Sequence, residues 1–397
     1  MTAKTLPDPF LWLTSDEAAP ILALAAHELM ADATSLVRLT AKLRKTLSSD
    51  QVHLLLEQID LRRRAKDKFS AAERMFFAPQ ALMQASDEVI AAYKAVRFPA
   101  GERFADLCCG IGGDLLVLAA QGICVGVDRD RTLAHLAQRN CEVTGRGGGS
   151  AVVADAATFP VQEFAAWHID PDRRPGGKRT TRVEHYDPPL DVLEILLTNN
   201  PHAAIKLAPA AEVSLQWEQV AEREWLESRG ECRQQVAWFG SLARRPGEKS
   251  ATIVDALGGP RTVQGRGEGP VPIANGVSRY VYEPAAAVLA AKLTHVLCEE
   301  HRLQAVSNQA MYLTGDALAE DPTLAGFEVL EVLPLDERQL KAWLRQRGMG
   351  QLEVKKRGCD VEPEKLRKRL GGEGHDAGTL LVCPLRGRVQ AIVARRV

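Results

Sequence analysis

Hydrophobic positions along the chain change their period twice. Up to about residue 100 they recur at helical spacing: Ile21, Leu22, Leu24 and Leu29 form a core face behind Thr14, which with Glu17 makes a capping box. Further amphipathic stretches at 36–47, 51–69 and 79–96 predict a helical N-terminal domain over residues 1–100. From there short apolar runs alternate with helical stretches, as a doubly wound sheet requires, and predict an α/β domain over 101–258. Its seven strands fall at 104–109, 123–128, 151–155, 165–170, 203–208, 232–239 and 249–256; the last two, with no helical pattern between them, predict a hairpin. The Gly/Pro-rich run at 259–276 lacks periodicity and reads as a linker. Beyond it, at 277–397, helices at 284–303, 336–347 and 363–370 and strands at 327–333, 352–356, 379–384 and 389–394 predict a small α+β domain.

The chemistry gathers where the first strand breaks. Gly110-Ile111-Gly112-Gly113 interrupts it before an apolar helix, and the second strand ends in Asp128. Glycines let the backbone approach a ligand closely, and a carboxylate at the second strand's end can accept two hydrogen bonds from ribose hydroxyls, so a nucleotide-like ligand is expected. A dinucleotide site uses G-x-G-x-x-G with pyrophosphate on the helix N-terminus. This chain has Asp106-x-x-x-Gly110-x-Gly112 and then Asp114, whose charge opposes a pyrophosphate and suits a cofactor with a cationic amino-acid tail. Three of the first four strands end in acids, Asp128, Asp155 and Asp170, which lines them along the cleft beyond the strands' carboxyl ends. Asp155 can alternatively cap the segment after it.

Composition sets the class. The 397 residues are 46% hydrophobic and 25% charged, enough for two or three domains. No apolar stretch approaches the ~20 residues of a membrane span and no signal pattern opens the chain, so a cytoplasmic protein without membrane contact is expected. The 8 cysteines have no C-x-x-C spacing, and neither a metal site nor a disulfide framework is expected. A net charge of -1 conceals 15 Lys and Arg against 8 Asp and Glu from Leu335 to Val397, a local +7 that suits either a polyanionic partner or solvated helix faces. Residues 61–69, LRRRAKDKF, followed by Arg74, Met75, Phe76 and Phe77, pose the same choice between a nucleic-acid surface and a charged helix face over core aromatics; the second is favoured.

The glycine-turn pattern resembles motif I of the class I S-adenosylmethionine-dependent methyltransferases. The resemblance implies that Asp106, Gly110 and Gly112 surround the methionine moiety of S-adenosylmethionine, that Asp128 holds its ribose, and that Asp155 and Ala156 meet its adenine. It also implies a Rossmann-like seven-stranded sheet whose fourth strand ends facing the methyl group. Relatives that methylate nucleobase nitrogens often carry (Asp/Asn)-Pro-Pro-aromatic there; this chain has Asp170-Pro171-Asp172-Arg173-Arg174-Pro175-Gly176-Gly177-Lys178. Asp170 and the carbonyl of Pro171 can accept N–H bonds from a planar amine. The aromatic is absent. A cationic loop replaces it, in which Arg173, Arg174 and Lys178 can hold an anionic substrate and Tyr186 can supply a ring, although the two arginines can instead pair with Asp172 and nearby acids. His168 reads as a core histidine, and Lys206 either lines the substrate cleft or forms a salt bridge.

With residues 61–69, 106–113, 170–174, Lys206-Leu207-Ala208-Pro209, Tyr282-Glu283-Pro284 and Lys355-Lys356-Arg357-Gly358, the resemblance extends over nearly the whole chain. It is to bacterial class I methyltransferases with a THUMP-like C-terminal domain, distantly similar to the RNA-cap guanine-N2 methyltransferases (trimethylguanosine synthases). It implies an RNA substrate methylated on a base nitrogen, although the cap enzymes keep Pro-Pro-Trp where this chain has Pro171-Asp172-Arg173. The alternatives are a methyltransferase for a protein or anionic metabolite, and an RNA-binding module that no longer transfers methyl groups.

Overall fold

In the computed structural model, which describes residues 8–31, 35–174, 180–255, 257–371 and 374–397, the described residues before Arg103 are mainly helical, and side-chain caps at Ser48 and Asp87 start two of the helices. The helices are α1 Asp8–Leu13, α2 Ala18–Ala31, α3 Leu36–Leu43, α4 Ser49–Ala65, α5 Pro79–Gln84 and α6 Glu88–Ala95. The box expected at Thr14 and Glu17 does not start α2. Thr14 Oγ1 turns back to the Phe10 carbonyl at 3.1 Å, and Ser15 Oγ accepts the Ala18 N–H instead. A reciprocal box does form at Ser48 and Gln51, at the start of α4.

Phe69, Met75, Phe76 and Phe77 are core residues. Arg62 donates to the carbonyls of Met75 (2.9 Å) and Arg74 (3.1 Å), and Lys68 to those of Leu82, Met83 and Ala85, so two of the clustered cations are tied to backbone oxygens. The charged helix face over core aromatics is what this stretch forms.

The chain divides into two units, Met1–Ala221 with Gln235–Pro246, and Glu222–Gln234 with Gly247–Val397. The first is built on β1 Arg103–Leu107, β2 Ile123–Asp128, β3 Gly149–Val153, β4 Ala166–Ile169 and β5 Ala203–Leu207, separated by α7 Leu115–Leu118, α8 Arg131–Thr144 and α9 Leu190–Asn199, with α10 Leu215–Val220 after β5. Their order is β3-β2-β1-β4-β5, all parallel. Strand β6, Glu222–Ser228, belongs to the second unit; β7, Glu231–Trp238, returns to run antiparallel to β5, with Leu207 opposite Gln235. The strand order reverses between β1 and β4, and in open sheets of this kind ligands bind beyond the strands' carboxyl ends at such a switch point. Leu107, Trp167, Ile169, Ile205 and Leu207 fill the sheet's core.

Two buried polar contacts fasten the helical segment to this sheet. Asn140 of α8 accepts the Phe76 N–H at 2.7 Å and donates to the carbonyls of Phe76 and Ile111 at 3.0 and 2.9 Å, joining the helical segment to the glycine turn. Lys94 of α6, with its side chain 2% exposed, lies 2.6 Å from Asp114 and 3.0 Å from His168 Nε2. Burial opposes the Asp114 charge, but Lys94 above all, with Lys206, outweighs it and holds the carboxyl below its usual range. The repulsion expected from Asp114 at the turn is therefore corrected, because its charge is neutralised underneath the turn.

In the second unit β6 pairs in parallel with β8 Lys249–Ile253, and β8 antiparallel with β9 Arg261–Gly265. The hairpin expected between 232–239 and 249–256 is thus replaced by a strand too rich in charge to read as one, and β9 lies inside the stretch expected as a linker. A seven-stranded sheet of order β11-β12-β10-β13-β16-β15-β14 follows, from β10 Tyr280–Pro284, β11 Gln304–Ala305, β12 Leu313–Gly315, β13 Leu324–Pro334, β14 Met349–Lys356, β15 Asp376–Leu385 and β16 Arg388–Arg396. The helix expected at 284–303 breaks into α11 Ala286–Ala291 and α12 Thr294–His301, at the left-handed Lys292. Helices α13 Glu337–Gln346 and α14 Pro363–Leu370 pack their leucines on one face of this sheet.

Several of the C-terminal cations have acid partners, Arg395 with Asp376 and Arg396 with Glu353 among them. Lys355 and Arg357 share Glu283 (2.7 and 3.0 Å), Lys365 meets Glu362, Arg367 meets Glu364 and Arg369 meets Glu337. Arg386 donates instead to the backbone carbonyl of Asn275. Glu300, His301 and Asp321 are arranged as metal ligands are, but Arg261 sits 2.9 and 2.8 Å from the two carboxylates and supplies the cation.

Two stability predictions follow from the anchors. Asn140→Ala orphans buried backbone groups and should lower the unfolding free energy by at least about 1–3 kcal/mol, read by urea denaturation. Asp114→Asn leaves Lys94 buried without a counter-charge, a loss of about 3–5 kcal/mol at pH 7. Because the folded Asp114 titrates below the unfolded carboxyl, its stabilisation is complete above about pH 4 and disappears as pH falls through the lower folded value. The gap between wild type and Asp114→Asn should therefore narrow below about pH 4; a constant gap would contradict the ion pair.

Candidate active site

Beyond Leu107 the chain turns through Cys108, Gly110 and Gly112, with φ of 54°, 56° and 88°. Glycine suits these left-handed angles at 110 and 112, whereas at Cys108 a side chain is held there at a cost of about 1–2 kcal/mol. A Cβ placed on Gly110 would meet nothing within 4 Å, so the turn is open on that side. The Gly110 N–H donates to Asp128 Oδ2 and the Asp130 N–H to Oδ1, both at 2.9 Å. Each oxygen thus takes one backbone bond and retains a lone pair for a further donor. Burial raises the Asp128 carboxyl, and the two N–H bonds counter part of that rise.

Cys108 sits amid acids. Burial pushes its thiol well above the usual value, and the charges of Asp128, Asp170, Asp106 and Asp187 push it further. It is no nucleophile; it marks the point where negative charge converges at the mouth of the turn. The spare lone pairs of Asp128 and the open face of Gly110 fit a nucleoside such as that of S-adenosylmethionine. Asp128, Gly110 and Gly112 are the residues that would hold it.

Two expected cofactor contacts need correction or qualification. Asp106 is 1% exposed, and its Oδ1 is bound to His168 Nδ1 at 2.7 Å, so its carboxylate lies below the cleft floor and not beside the methionine moiety. Burial raises this carboxyl despite His168. Asp155 is exposed and its Oδ1 caps the turn Ala156–Thr158 through the Ala157 N–H at 2.9 Å. The cap occupies one oxygen, while the Ala156 side chain is part of the core.

On the other side of the switch point Asp170 follows β4, directly after Ile169, which pairs with Leu107. Its Oδ2 lies 2.5 Å from Lys206 Nζ, and a quarter of the side chain (25%) stays exposed. Lys206, 5% exposed in its side chain, also donates to Ser86 Oγ at 3.1 Å, and Ser86 Oγ donates to Asp114 Oδ2 at 2.8 Å. The salt bridge weighed for Lys206 is what forms, and it does not line the cleft.

Pro171 is buried, and Asp172 pairs backbone to backbone with Asp187 (2.8 and 3.0 Å). Asp172 Oδ1 accepts the Arg174 N–H at 3.0 Å, and Arg173 and Arg174 are both partly exposed. Arg129, next to Asp128, reaches Asp187 at 2.5 Å. Tyr186 corrects an expectation: it is 3% exposed within the core, and its hydroxyl accepts the Ala208 N–H at 3.1 Å, so it supplies no stacking ring. Lys178 lies outside the described residues.

Ser86, Lys94, Arg129 and Asp187 escaped the sequence reading. Ser86 and Lys206 are 120 residues apart, a separation that no local pattern bridges. Lys94 did leave a signal, since it shares the buried face of α6 with Ile90 and Ala91.

Three comparisons with known proteins bear on the family and the fold. Residues 324–396 match the family model described as THUMP domain-like. Two proteins of Mycobacterium tuberculosis, from strains CDC 1551 / Oshkosh and ATCC 25618 / H37Rv, are each named an uncharacterized S-adenosylmethionine-dependent methyltransferase. Each is 31% identical to this chain over 336 residues, 81% of this chain and 89% of its own length. A crystal structure of a candidate methyltransferase from Porphyromonas gingivalis W83 superposes with a TM-score of 0.74 at 19% identity, covering 89% of this chain and 92% of its own, which shows the shared fold. With relatives across four-fifths of its length, the chain belongs to the S-adenosylmethionine-dependent methyltransferases and carries a THUMP-like domain.

Proposed function

We propose that this methyltransferase acts on RNA, at a nitrogen of a base held at Asp170. The observation that carries the reading is Asp170-Pro171 at the carboxyl end of β4, with one carboxylate oxygen fixed by Lys206 and the side chain still reaching the cleft. When bound, S-adenosylmethionine supplies an electrophilic methyl group, whose transfer breaks one C–S bond, forms one C–N bond and leaves a neutral thioether, the methylated nitrogen then shedding its proton to solvent. A displacement of this kind asks the protein for proximity and alignment more than for a strong base. Asp170 and the Pro171 carbonyl accept hydrogens of the target amine and aim its nitrogen. Asp128 takes the ribose, Gly110 and Gly112 admit the methionine end, and the free oxygen of Asp155 faces the adenine.

Arg173 and Arg174 pair with phosphates beside the target base, and the THUMP-like domain supports the choice of RNA. With Tyr186 in the core, the base is gripped by hydrogen bonds and cations more than by stacking, unlike the Pro-Pro-Trp arrangement of the cap enzymes. The same arginine pair also favours a second reading, a small anionic acceptor such as a carboxylated metabolite.

Two measurements test this. Calorimetry of Asp128→Ala should show S-adenosylhomocysteine binding weakened at least tenfold, about 1.4 kcal/mol; unchanged affinity would remove Asp128 from the site. Incubation with methyl-labelled S-adenosylmethionine and RNA from cells lacking the gene should label RNA on a base nitrogen, identified by mass spectrometry of nucleosides. Label confined to the metabolite fraction would favour the second reading and overturn the first.

A further inference from the structure

We infer that Lys206 is a positioning residue, and that Ser86, Asp114 and Lys94 hold it so that Asp170 can act only as a hydrogen-bond acceptor toward the incoming nucleophile. This rests on the proposal that Asp170 meets the acceptor. The side chains form one continuous chain: Asp170 to Lys206 (2.5 Å), Lys206 to Ser86 (3.1 Å), Ser86 to Asp114 (2.8 Å), Asp114 to Lys94 (2.6 Å), Lys94 to His168 (3.0 Å) and His168 to Asp106 (2.7 Å).

The direction of every bond in it is fixed. An ammonium only donates and an ionised carboxylate only accepts, so the Ser86 hydroxyl, lying between Lys206 and Asp114, must accept from the first and donate to the second. Lys94 likewise donates to His168 Nε2, which places the ring hydrogen on Nδ1, facing Asp106. Two ammonium groups thereby orient three carboxylates through one hydroxyl and one imidazole. Lys206 is too enclosed to touch an acceptor molecule, and its position is set by Ser86, from the segment between α5 and α6.

The consequence for specificity lies in Asp170. With Oδ2 bound by Lys206 the carboxylate cannot turn without losing its counter-charge, and it offers acceptor positions alone. A nucleophile is aligned only if it brings an N–H or O–H, as an exocyclic amine or a protonated ring nitrogen does. A nitrogen that presents a lone pair to Asp170 is repelled. The helical N-terminal segment, which holds none of the cofactor residues, thus contributes to the alignment of the methyl acceptor.

The test uses the full chain and the unfractionated extract of cells lacking the gene, so that any acceptor class can take label from S-adenosylmethionine. Lys206→Met should lower the saturated transfer rate ~100-fold and Ser86→Ala ~10-fold, the scale of a misplaced reacting group, with the KM for S-adenosylmethionine and the affinity for S-adenosylhomocysteine within about twofold of wild type. Lys206→Arg should recover part of the rate. If Lys206→Met no longer binds S-adenosylhomocysteine and so has not folded, Ser86→Ala decides, since it removes one oxygen. Full rates in Ser86→Ala and Lys206→Met with an inactive Asp170→Asn would overturn the inference while leaving Asp170 in place. A fully active Asp170→Asn would instead remove the reading of the acceptor site on which it rests. A loss in Ser86→Ala confined to KM for the cofactor would also overturn it, by assigning the chain to the glycine turn.

Discussion

A lysine whose side chain is 2% exposed survives in a protein core only if something answers its charge, and much of this active site follows from how Lys94 is answered. Desolvating an ammonium or a carboxylate costs several kcal/mol even after relaxation, so Lys94 and Asp114 are buried together or not at all. Asp114 stands at the start of α7, directly beyond the glycine turn, and Lys94 belongs to α6. Their pairing fixes the helical segment against the turn, and the leftover hydrogen-bonding capacity of each is then used on His168 and Ser86. Through Ser86 the constraint reaches Lys206 and the acid at the reaction end of the cleft.

Acids at or near the ends of neighbouring strands acquire different tasks because their surroundings differ. Asp106 is enclosed and tied to His168; Asp128 is half-buried with one backbone N–H on each oxygen; Asp155 is exposed and caps a turn; Asp170 is partly exposed and bound on one oxygen by an ammonium. A ribose needs an acceptor with spare lone pairs at a fixed position, which Asp128 offers. An acceptor amine needs a carboxylate that reaches the cleft without swinging, which Asp170 offers.

Much of this was legible in the sequence. The glycine turn, the two acids Asp128 and Asp170, the parallel strands and the helical first hundred residues all follow from period and spacing, because each depends on residues near one another in the chain. What was not legible depends on partners far away. The family motif carries Asp106, but nothing local indicates that His168, 62 residues on, takes up its carboxylate. Tyr186 reads as a ring beside a cationic loop until the Ala208 N–H and the surrounding core take it in. Strand β6, EREWLES, has no apolar alternation; Glu224 accepts from Thr252 Oγ1 and Glu227 from the Ala287 N–H, neither partner visible from the strand itself. The C-terminal cations look unneutralised at helical spacing because Glu283 and Glu337 come from other elements.

The central claim is that cofactor and acceptor ends of one cleft are held by two differently prepared acids on a shared buried framework. A crystal structure with S-adenosylhomocysteine tests it most directly. The account predicts both ribose hydroxyls on Asp128, the sulfur on the Asp170 side of the glycine turn, and the Asp170–Lys206–Ser86–Asp114–Lys94 chain intact. A ribose bound away from Asp128, or Lys206 turned off Asp170 onto the ligand, would contradict it.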